Sequence, residues 1–503
     1  MAQEIIGRKP ESRKLTELYQ SKRPVFTVVY GRRRVGKTYL IRELFDNQFS
    51  FYHTGLSPYE LQDENLRQGQ LSNFFKSLVK YGSDIDHIPT DWFEAFDALT
   101  ALLERKPKEE RKLVFIDEMP WLDTPRSGFV TAFEHFWNGW GSGRSDLMLV
   151  ACGSATSWIS DNLLNNTGGL FNRVTHEIKL LPFDLSECEE YVKSNEIVMS
   201  RYDLVECYMI MGGIPFYLSL LEKGMSLPQN IDNIFFAKSA KLRNEFERLF
   251  SSLFKNKDDC MKIVRLLSQK NQGYTRQEIA KITQLSNGGG LSYTLRSLEA
   301  SDFIMSYTKY GRTSREVYFR LTDSFTKFYL TFVDGARTKN PNFWQNNFRS
   351  PRHNAWKGFA FENLCFYHFD KIKESLGIRG VQTECSPWKS RQEKNCAQID
   401  MLIVRADNVI DVCEMKFSSD EYTITAGYDR ELRHIIELFN NETKCKQTVH
   451  LIIITTFGLK FNEYSGQVQQ IVTMDDFFKL NYNKPFCMNN YSYICKQTDS
   501  LRL

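Results

Sequence analysis

A chain of 503 residues is too long for one hydrophobic core, and at roughly 150 residues per domain about three are expected. Its 65 Lys and Arg against 61 Asp and Glu leave a net charge of +4, which neither requires nor excludes a nucleic-acid partner. The 11 cysteines form no C-x-x-C pair, and no apolar run approaches the length of a membrane span. Free thiols, a cytoplasmic location and no membrane partner are therefore expected, and a disulfide framework or a zinc site is not.

Near the N-terminus, Ile5-Ile6-Gly7-Arg8 precedes an amphipathic pattern carrying Leu15, Leu18 and Tyr19. It is either a plain N-terminal helix or, in a P-loop ATPase, one that lies beside the nucleotide base. The run Phe26-Thr-Val-Val-Tyr30 then reads as a buried strand. It ends in Gly31-Arg32-Arg33-Arg34-Val35-Gly36-Lys37-Thr38, and a helical pattern over Tyr39, Leu40, Ile41, Leu44 and Phe45 follows. That spacing is a P-loop. Glycines let the backbone curl so that its N–H groups and the next helix's N-terminus face a polyphosphate. Lys37 supplies a point charge near the β- and γ-phosphates, and Thr38 a hydroxyl for Mg²⁺.

A short strand at Ser50-Phe-Tyr-His-Thr54 and a long helical region lead to Lys112-Leu-Val-Phe-Ile-Asp117-Glu118. An apolar strand delivering two carboxylates at its end is the Walker B pattern: Asp117 for the Mg²⁺ shell, Glu118 to polarise the attacking water. A further strand over 147–152 ends in Gly153-Ser154, where Ser154 is either a polar sensor of the γ-phosphate or a turn residue. Asn256-Lys-Asp-Asp259 matches the guanine-reading N-K-x-D motif, yet it follows a helical stretch and lies far past the sheet, so ATP rather than GTP is expected.

Gly31 to Thr38, Phe115-Ile-Asp-Glu-Met-Pro-Trp121, Gly168-Gly-Leu-Phe-Asn-Arg173 and Met211-Gly-Gly-Ile-Pro215 together resemble the archaeal-type ATPase family, a branch of the AAA+/STAND P-loop ATPases. The resemblance covers about the first half of the chain. It implies an ATPase core over 1–183 and a helical lid over 184–257. Arg173 would reach the γ-phosphate from the same or a neighbouring subunit of a homo-oligomer, and Pro215 would open the lid helix that senses nucleotide. On the residues alone, Arg173 could equally cap a helix or pair with Glu177, and Gly-Gly-Ile-Pro is also an ordinary turn.

Beyond residue 258, Thr275-x-x-Glu278 is a capping box opening a helix, Ser286-Asn-Gly-Gly-Gly290 a turn, and 291–298 a second helix. Strands over 303–307 and 316–321, joined around Tyr310-Gly311-Arg312, complete a winged helix-turn-helix, which with its linker helix spans 258–335. It either binds DNA, with Lys309, Arg312 and Arg315 along the wing, or serves as a structural hinge. The aromatic helix at 323–332 resembles the segment that joins this unit to the family's C-terminal nuclease-like domain, of the DUF234 type. A loop over 336–347 marks the last boundary.

In the remaining 350–503, a helix starting near Trp356 carries Glu362 among apolar residues. Gln398-Ile-Asp400-Met-Leu-Ile-Val404 and Val409-Ile-Asp-Val-Cys-Glu414-Met-Lys416 read as a hairpin turning at Arg405-Ala-Asp-Asn408. Centred near Asp407, it sets Asp400 opposite Glu414, with Lys416 on the same face. Two hard carboxylates and a lysine suit Mg²⁺ or Mn²⁺ and an activated water. The pattern resembles the PD-(D/E)xK nuclease fold, which implies Glu362, Asp400 and Glu414 as metal ligands and Lys416 as a catalytic residue. The alternative is a set of cross-strand salt bridges in an inactive fold. Tyr428, Arg430 and Arg433 follow on a helix that could face the substrate backbone.

The expected fold is therefore multidomain α/β: an ASCE/AAA+-like parallel sheet, a helical lid, a winged helix and a restriction-endonuclease-like domain. The expected function is an ATP switch controlling a metal-dependent DNA nuclease, with a role in defence against foreign DNA implied by resemblance alone. The competing reading is a nucleotide-dependent DNA-binding regulator.

Overall fold

The computed structural model describes residues 5–57, 66–107, 109–165, 168–312, 316–335, 340–347, 350–391 and 397–479. They form two compact units, one over the described residues up to Pro182 with Leu249–Lys255, the other over Phe183–Arg248 and the described residues from Asn256.

The first unit is built on five parallel strands, β1 (Val25–Tyr30), β2 (Phe51–Thr54), β3 (Lys112–Asp117), β4 (Leu147–Gly153) and β5 (His176–Lys179). Their order across the sheet is β2-β3-β4-β1-β5, so β4 separates β1 from β3. Every residue of β1, β3 and β4 is buried, which explains why these segments read as unbroken apolar runs rather than as alternation. The helices Leu66–Lys80, Trp92–Glu104 and Phe129–Gly139 supply Leu71, Phe74, Phe96, Leu99, Phe129 and Phe133 to the core on that sheet. One charged pair lies at the start of β3, where the buried Lys112 ammonium meets Asp146 at 2.6 Å.

In the second unit the helices Leu185–Ser194, Arg201–Met211 and Pro215–Leu218 come first. Asp184 and Glu187 form a capping box at the first of them, and Gly212 and Gly213 turn the chain out of the second with positive φ. A side chain at Gly213 would put its Cβ 2.2 Å from the Phe183 carbonyl, so the close approach there needs glycine. Next come the helices Lys257–Leu267, Arg276–Thr283 and Gly289–Ala300. A small antiparallel sheet of β6 (Tyr274–Thr275), β7 (Ile304–Thr308) and β8 (Val317–Leu321) accompanies them, in the order β6-β8-β7. The Thr275–Glu278 capping box is present as the sequence indicates. Arg315 lies outside the described residues.

The segment over 336–347 differs from the loop expected: Phe343–Asn347 is a helix with Trp344 fully buried. Asp232, over a hundred residues earlier, caps it by accepting from the Trp344 and Gln345 backbone N–H groups at 2.7 and 3.0 Å. After the helix Pro351–Tyr367 comes a mixed sheet of β9 (Thr383–Lys389), β10 (Gln398–Arg405), β11 (Val409–Lys416), β12 (Thr448–Thr455) and β13 (Val468–Thr473). Its order is β13-β12-β11-β10-β9, with β9, β10 and β11 antiparallel neighbours and β11, β12 and β13 parallel ones. The helix Ala426–Thr443 makes the crossover that the parallel β11–β12 pair requires. Its Leu432 and Phe439 cover Trp388, Leu402, Val412 and Ile453 of the sheet.

All cysteines among the described residues are free thiols, and no helix among them is long and apolar enough to cross a membrane.

Candidate functional sites

In the first unit the P-loop leaves β1 at Gly31, which has a φ of 140° and passes so close to the Leu180 carbonyl that a Cβ would lie 2.3 Å from its oxygen, so no side chain fits there. Arg34 and Gly36 also hold positive φ, and Gly36 caps the helix Lys37–Leu44. The curled loop therefore ends on a helix start with its first N–H groups unpaired within the helix, the arrangement that favours a polyphosphate. Lys37 is buried and its ammonium donates to the Gly31 and Arg32 carbonyls, both at 3.0 Å. Arg8, buried just before the first helix, donates to the Val35 carbonyl at 3.1 Å and braces the loop from the N-terminal side.

The loop and the end of β3 meet at one point. The Thr38 hydroxyl donates to Asp117 at 2.7 Å, and burial followed by the neighbouring Glu118 pushes the Asp117 carboxyl up. Glu118 itself adopts positive φ, with its N–H donating to Asp117 at 3.0 Å. Its carboxylate accepts from the Ser154 hydroxyl at 2.9 Å and from the Ser154 N–H at 3.2 Å. Ser154 can come this close because Gly153 packs against Pro120, where a Cβ would sit 2.6 Å from the proline ring. Gln70, which no motif announces, is buried on the helix Leu66–Lys80 and ties both polar groups of the Leu56 backbone to the Trp121 carbonyl just past Glu118. Of Gly31, Arg32, Arg33, Arg34, Val35, Gly36, Lys37 and Thr38, it is Thr38 that meets Asp117, beside which Glu118 meets Ser154. Arg173 is exposed before β5 and makes no ion pair among the described residues, so the pairing with Glu177 does not occur.

In the second unit the β10–β11 pairing runs Met401 to Cys413, Leu402 to Val412 and Ile403 to Asp411. Continued by one residue, it sets Asp400 opposite Glu414, the register read from the turn. The β9–β10 register shifts between Ile399 and Leu402, so Asp400 sits at a bulge, a feature that re-aims side chains beside sites. The Lys416 ammonium meets Glu414 at 2.8 Å and lies 4.8 Å over the Tyr428 ring. Tyr428, from the crossover helix, also donates its hydroxyl to Glu414 at 2.5 Å. Arg433 on that helix pairs instead with Asp429 at 2.9 Å.

Glu362, on the helix Pro351–Tyr367, is pushed up by burial and then by Asp400. Asp400 is pushed up by burial, with Gln398 and Arg320 opposing and Glu414 adding. The balancing cations come from sequence far upstream. Arg320 of β8 lies 3.8 Å over the Phe366 ring and lines a cleft with Glu362 and Asp400. Lys327, pushed down to about 8 by burial with Glu362 opposing, donates to Asn271, whose amide reaches Glu362 at 3.5 Å. A second relay runs from Gln272 through Gln398 to Asp400.

The donor chemistry of Glu362, Asp400 and Glu414 suits a divalent cation, but their arrangement in this conformation does not. Among the described residues no group of three or more His, Cys, Asp or Glu gathers to hold a metal ion. Lys416 pairs with Glu414, and Arg320 and Lys327 offset the burial of Glu362 and Asp400 only in part.

Residues 6–221 match the family model of an ATPase domain found predominantly in Archaea. An uncharacterized protein of Methanocaldococcus jannaschii is 23% identical over 368 residues, which is 72% of this chain and 76% of that protein. Among solved structures, a Walker-type ATPase of Pyrococcus abyssi is 17% identical, with 65% of this chain and 96% of that one covered at a TM-score of 0.45. The ORC2 protein of Aeropyrum pernix, solved in ADPNP–ADP complexes, is 15% identical, with 67% and 95% covered at a TM-score of 0.38. Residues 6–221 therefore carry an ATPase domain, and the chain is an ATP-hydrolysing enzyme.

Proposed function

We propose that ATP binding and hydrolysis in the first unit act as a switch on a nuclease of the PD-(D/E)xK type built on 350–503. The observation that carries the switch is the meeting of Thr38 with Asp117 and of Glu118 with Ser154. Those contacts support Thr38 and Asp117 as the Mg²⁺ shell and Glu118 as the group that polarises the water. Lys37 serves the phosphates. Residues 184–257 act as the lid opened by Pro215, and 258–335 as a winged helix that transmits the change. Arg173 completes the nucleotide site, from the same chain or from a neighbour in a homo-oligomer. The contact of Glu414 with Lys416, and the register that sets Asp400 opposite Glu414, support the nuclease. Assembly of Glu362, Asp400 and Glu414 around Mg²⁺ or Mn²⁺ requires Tyr428, Gln398 and the upstream cations to release them.

A second reading, a nucleotide-dependent DNA-binding regulator with an inactive nuclease-like domain, is favoured by the ungathered carboxylates. Plasmid DNA incubated with Mg²⁺ or Mn²⁺, with and without ATP, separates the two. Cleavage by wild type that Asp400→Ala loses while its ATP hydrolysis persists establishes the nuclease. A Lys37→Ala chain that cleaves differently from wild type establishes the coupling, since a ligand shifts an equilibrium only through differential affinity for its states. No cleavage under any of these conditions leaves the regulator.

A further inference from the structure

Cations from three separate stretches of the second unit gather around Lys309, which with Lys389 lines the Asp400 cleft. Lys270 follows the helix Lys257–Leu267, Lys309 and Arg312 belong to the connection after β7, and Lys389 ends β9. Two backbone-directed bonds pin that connection to the larger sheet: the Tyr310 N–H donates to the Pro387 carbonyl at 2.9 Å, and Arg391 donates to the Gly311 carbonyl at 3.1 Å. The lysines are also held over ring faces, Lys309 at 3.9 Å from the Tyr318 centroid and Lys270 at 5.0 Å from that of Tyr274.

Like charges so placed repel. Burial, then Lys270, Lys389 and Arg312 together, push Lys309 down to about 8. Glu278 opposes this only in part while it closes the capping box with Thr275, and Glu442 accepts from Ser390 and the Arg391 N–H. Lys309 and Lys389 line the same cleft as Glu362 and Asp400. A phosphodiester is repelled by two carboxylates, and a flanking row of cations offsets that repulsion while fixing the path of the strand.

We propose that Lys270, Lys309, Arg312 and Lys389 form a cradle for the phosphodiester backbone of a nucleic-acid strand passing the Asp400 cleft. The proposal rests on reading that cleft as a phosphodiester site, but binding and cleavage are separable. The test is fluorescence anisotropy of the full chain with labelled mixed-sequence oligonucleotides in EDTA, across a range of salt concentrations. Single-stranded DNA, duplex DNA and single-stranded RNA are separate arms.

Lys309→Ala/Lys389→Ala removes two contacts. For a single strand the slope of log affinity against log salt should fall in magnitude by about 1.4, equivalent to about 25-fold weaker binding at 0.1 M salt. Lys309→Arg/Lys389→Arg should bind as wild type, and all three chains should hydrolyse ATP alike. Unchanged slope and affinity in the alanine variant overturn the cradle, as does the absence of binding by wild type in every arm at low salt. Binding with the expected slope in a chain that cleaves nothing keeps the cradle and removes only the nuclease.

Discussion

Ser154→Ala is the perturbation that most directly interrogates the ATPase centre. The Glu118 carboxylate takes two bonds from Ser154, one from its hydroxyl at 2.9 Å and one from its N–H at 3.2 Å. The substitution deletes only the first. A hydrogen bond to a charged group contributes about 1.5–3 kcal/mol. If it orients the carboxylate while the water is attacked, kcat should fall about 10- to 150-fold, at about 1.4 kcal/mol per decade, with KM for ATP almost unchanged. Steady-state phosphate release gives both constants. The same substitution placed in Glu118→Gln tests the route, because a residue that acts only through Glu118 costs almost nothing once that carboxylate is gone. An equal loss in both backgrounds, or a rise in KM at constant kcat, would refute positioning and mark Ser154 as a direct phosphate contact.

Lys37→Ala is expected to abolish hydrolysis and sharply weaken nucleotide binding, whereas Glu118→Gln should bind ATP and trap it; normal turnover in Glu118→Gln sinks the assignment. ATP should outcompete GTP, because Asn256 of the N-K-x-D match only precedes a helix and bonds Thr294 at 2.5 Å, and displacement of ATP by equimolar GTP removes that expectation. Asp146→Asn should cost about 3 kcal/mol in urea unfolding, since it leaves the buried Lys112 without its counter-charge. Arg144 and then Lys112 hold the Asp146 carboxyl far below its usual range, so this contribution is complete above the unfolded pKa near 4 and is lost as pH falls toward the folded value. The deficit of Asp146→Asn should shrink accordingly in acid, and a deficit constant with pH contradicts the pairing.

The candidate ATPase site was legible because its parts are contiguous. The glycines, Lys37 and Thr38 lie within eight residues, and β3 is buried from end to end, so the carboxylates at its end stand out from an apolar run. The contact of Ser154 with Glu118 was not legible, since it depends on β4 lying beside β3 and on Gly153 admitting Pro120. The helix Phe343–Asn347 was missed for a related reason. Helix starts are recognised by a local cap, and here Asp232 supplies the cap from a distant segment while Asn340-Pro341-Asn342 signals a turn.

The second unit separates what short-range pairing encodes from what it cannot. A two-strand register follows from the turn, so the numbers of Asp400 and Glu414 sufficed to oppose them. The surroundings of Asp400, and of Glu362 beside it, are set by residues with no fixed spacing to the hairpin: Arg320 from β8, Lys327 from the aromatic helix, and Asn271 and Gln272 from the turn before β6. None of these forms a motif, yet together they decide whether the acids face a bound cation or the chain's own. Glu362 and Asp400 are both pushed up by burial, and buried carboxylates need positive charge to stay ionised; Arg320 opposes the rise at both, from the segment upstream of the sheet. Any metal-loaded state must therefore displace or compensate Arg320 and Lys327, which makes the placement of the 258–335 segment inseparable from the chemistry of the Asp400 cleft.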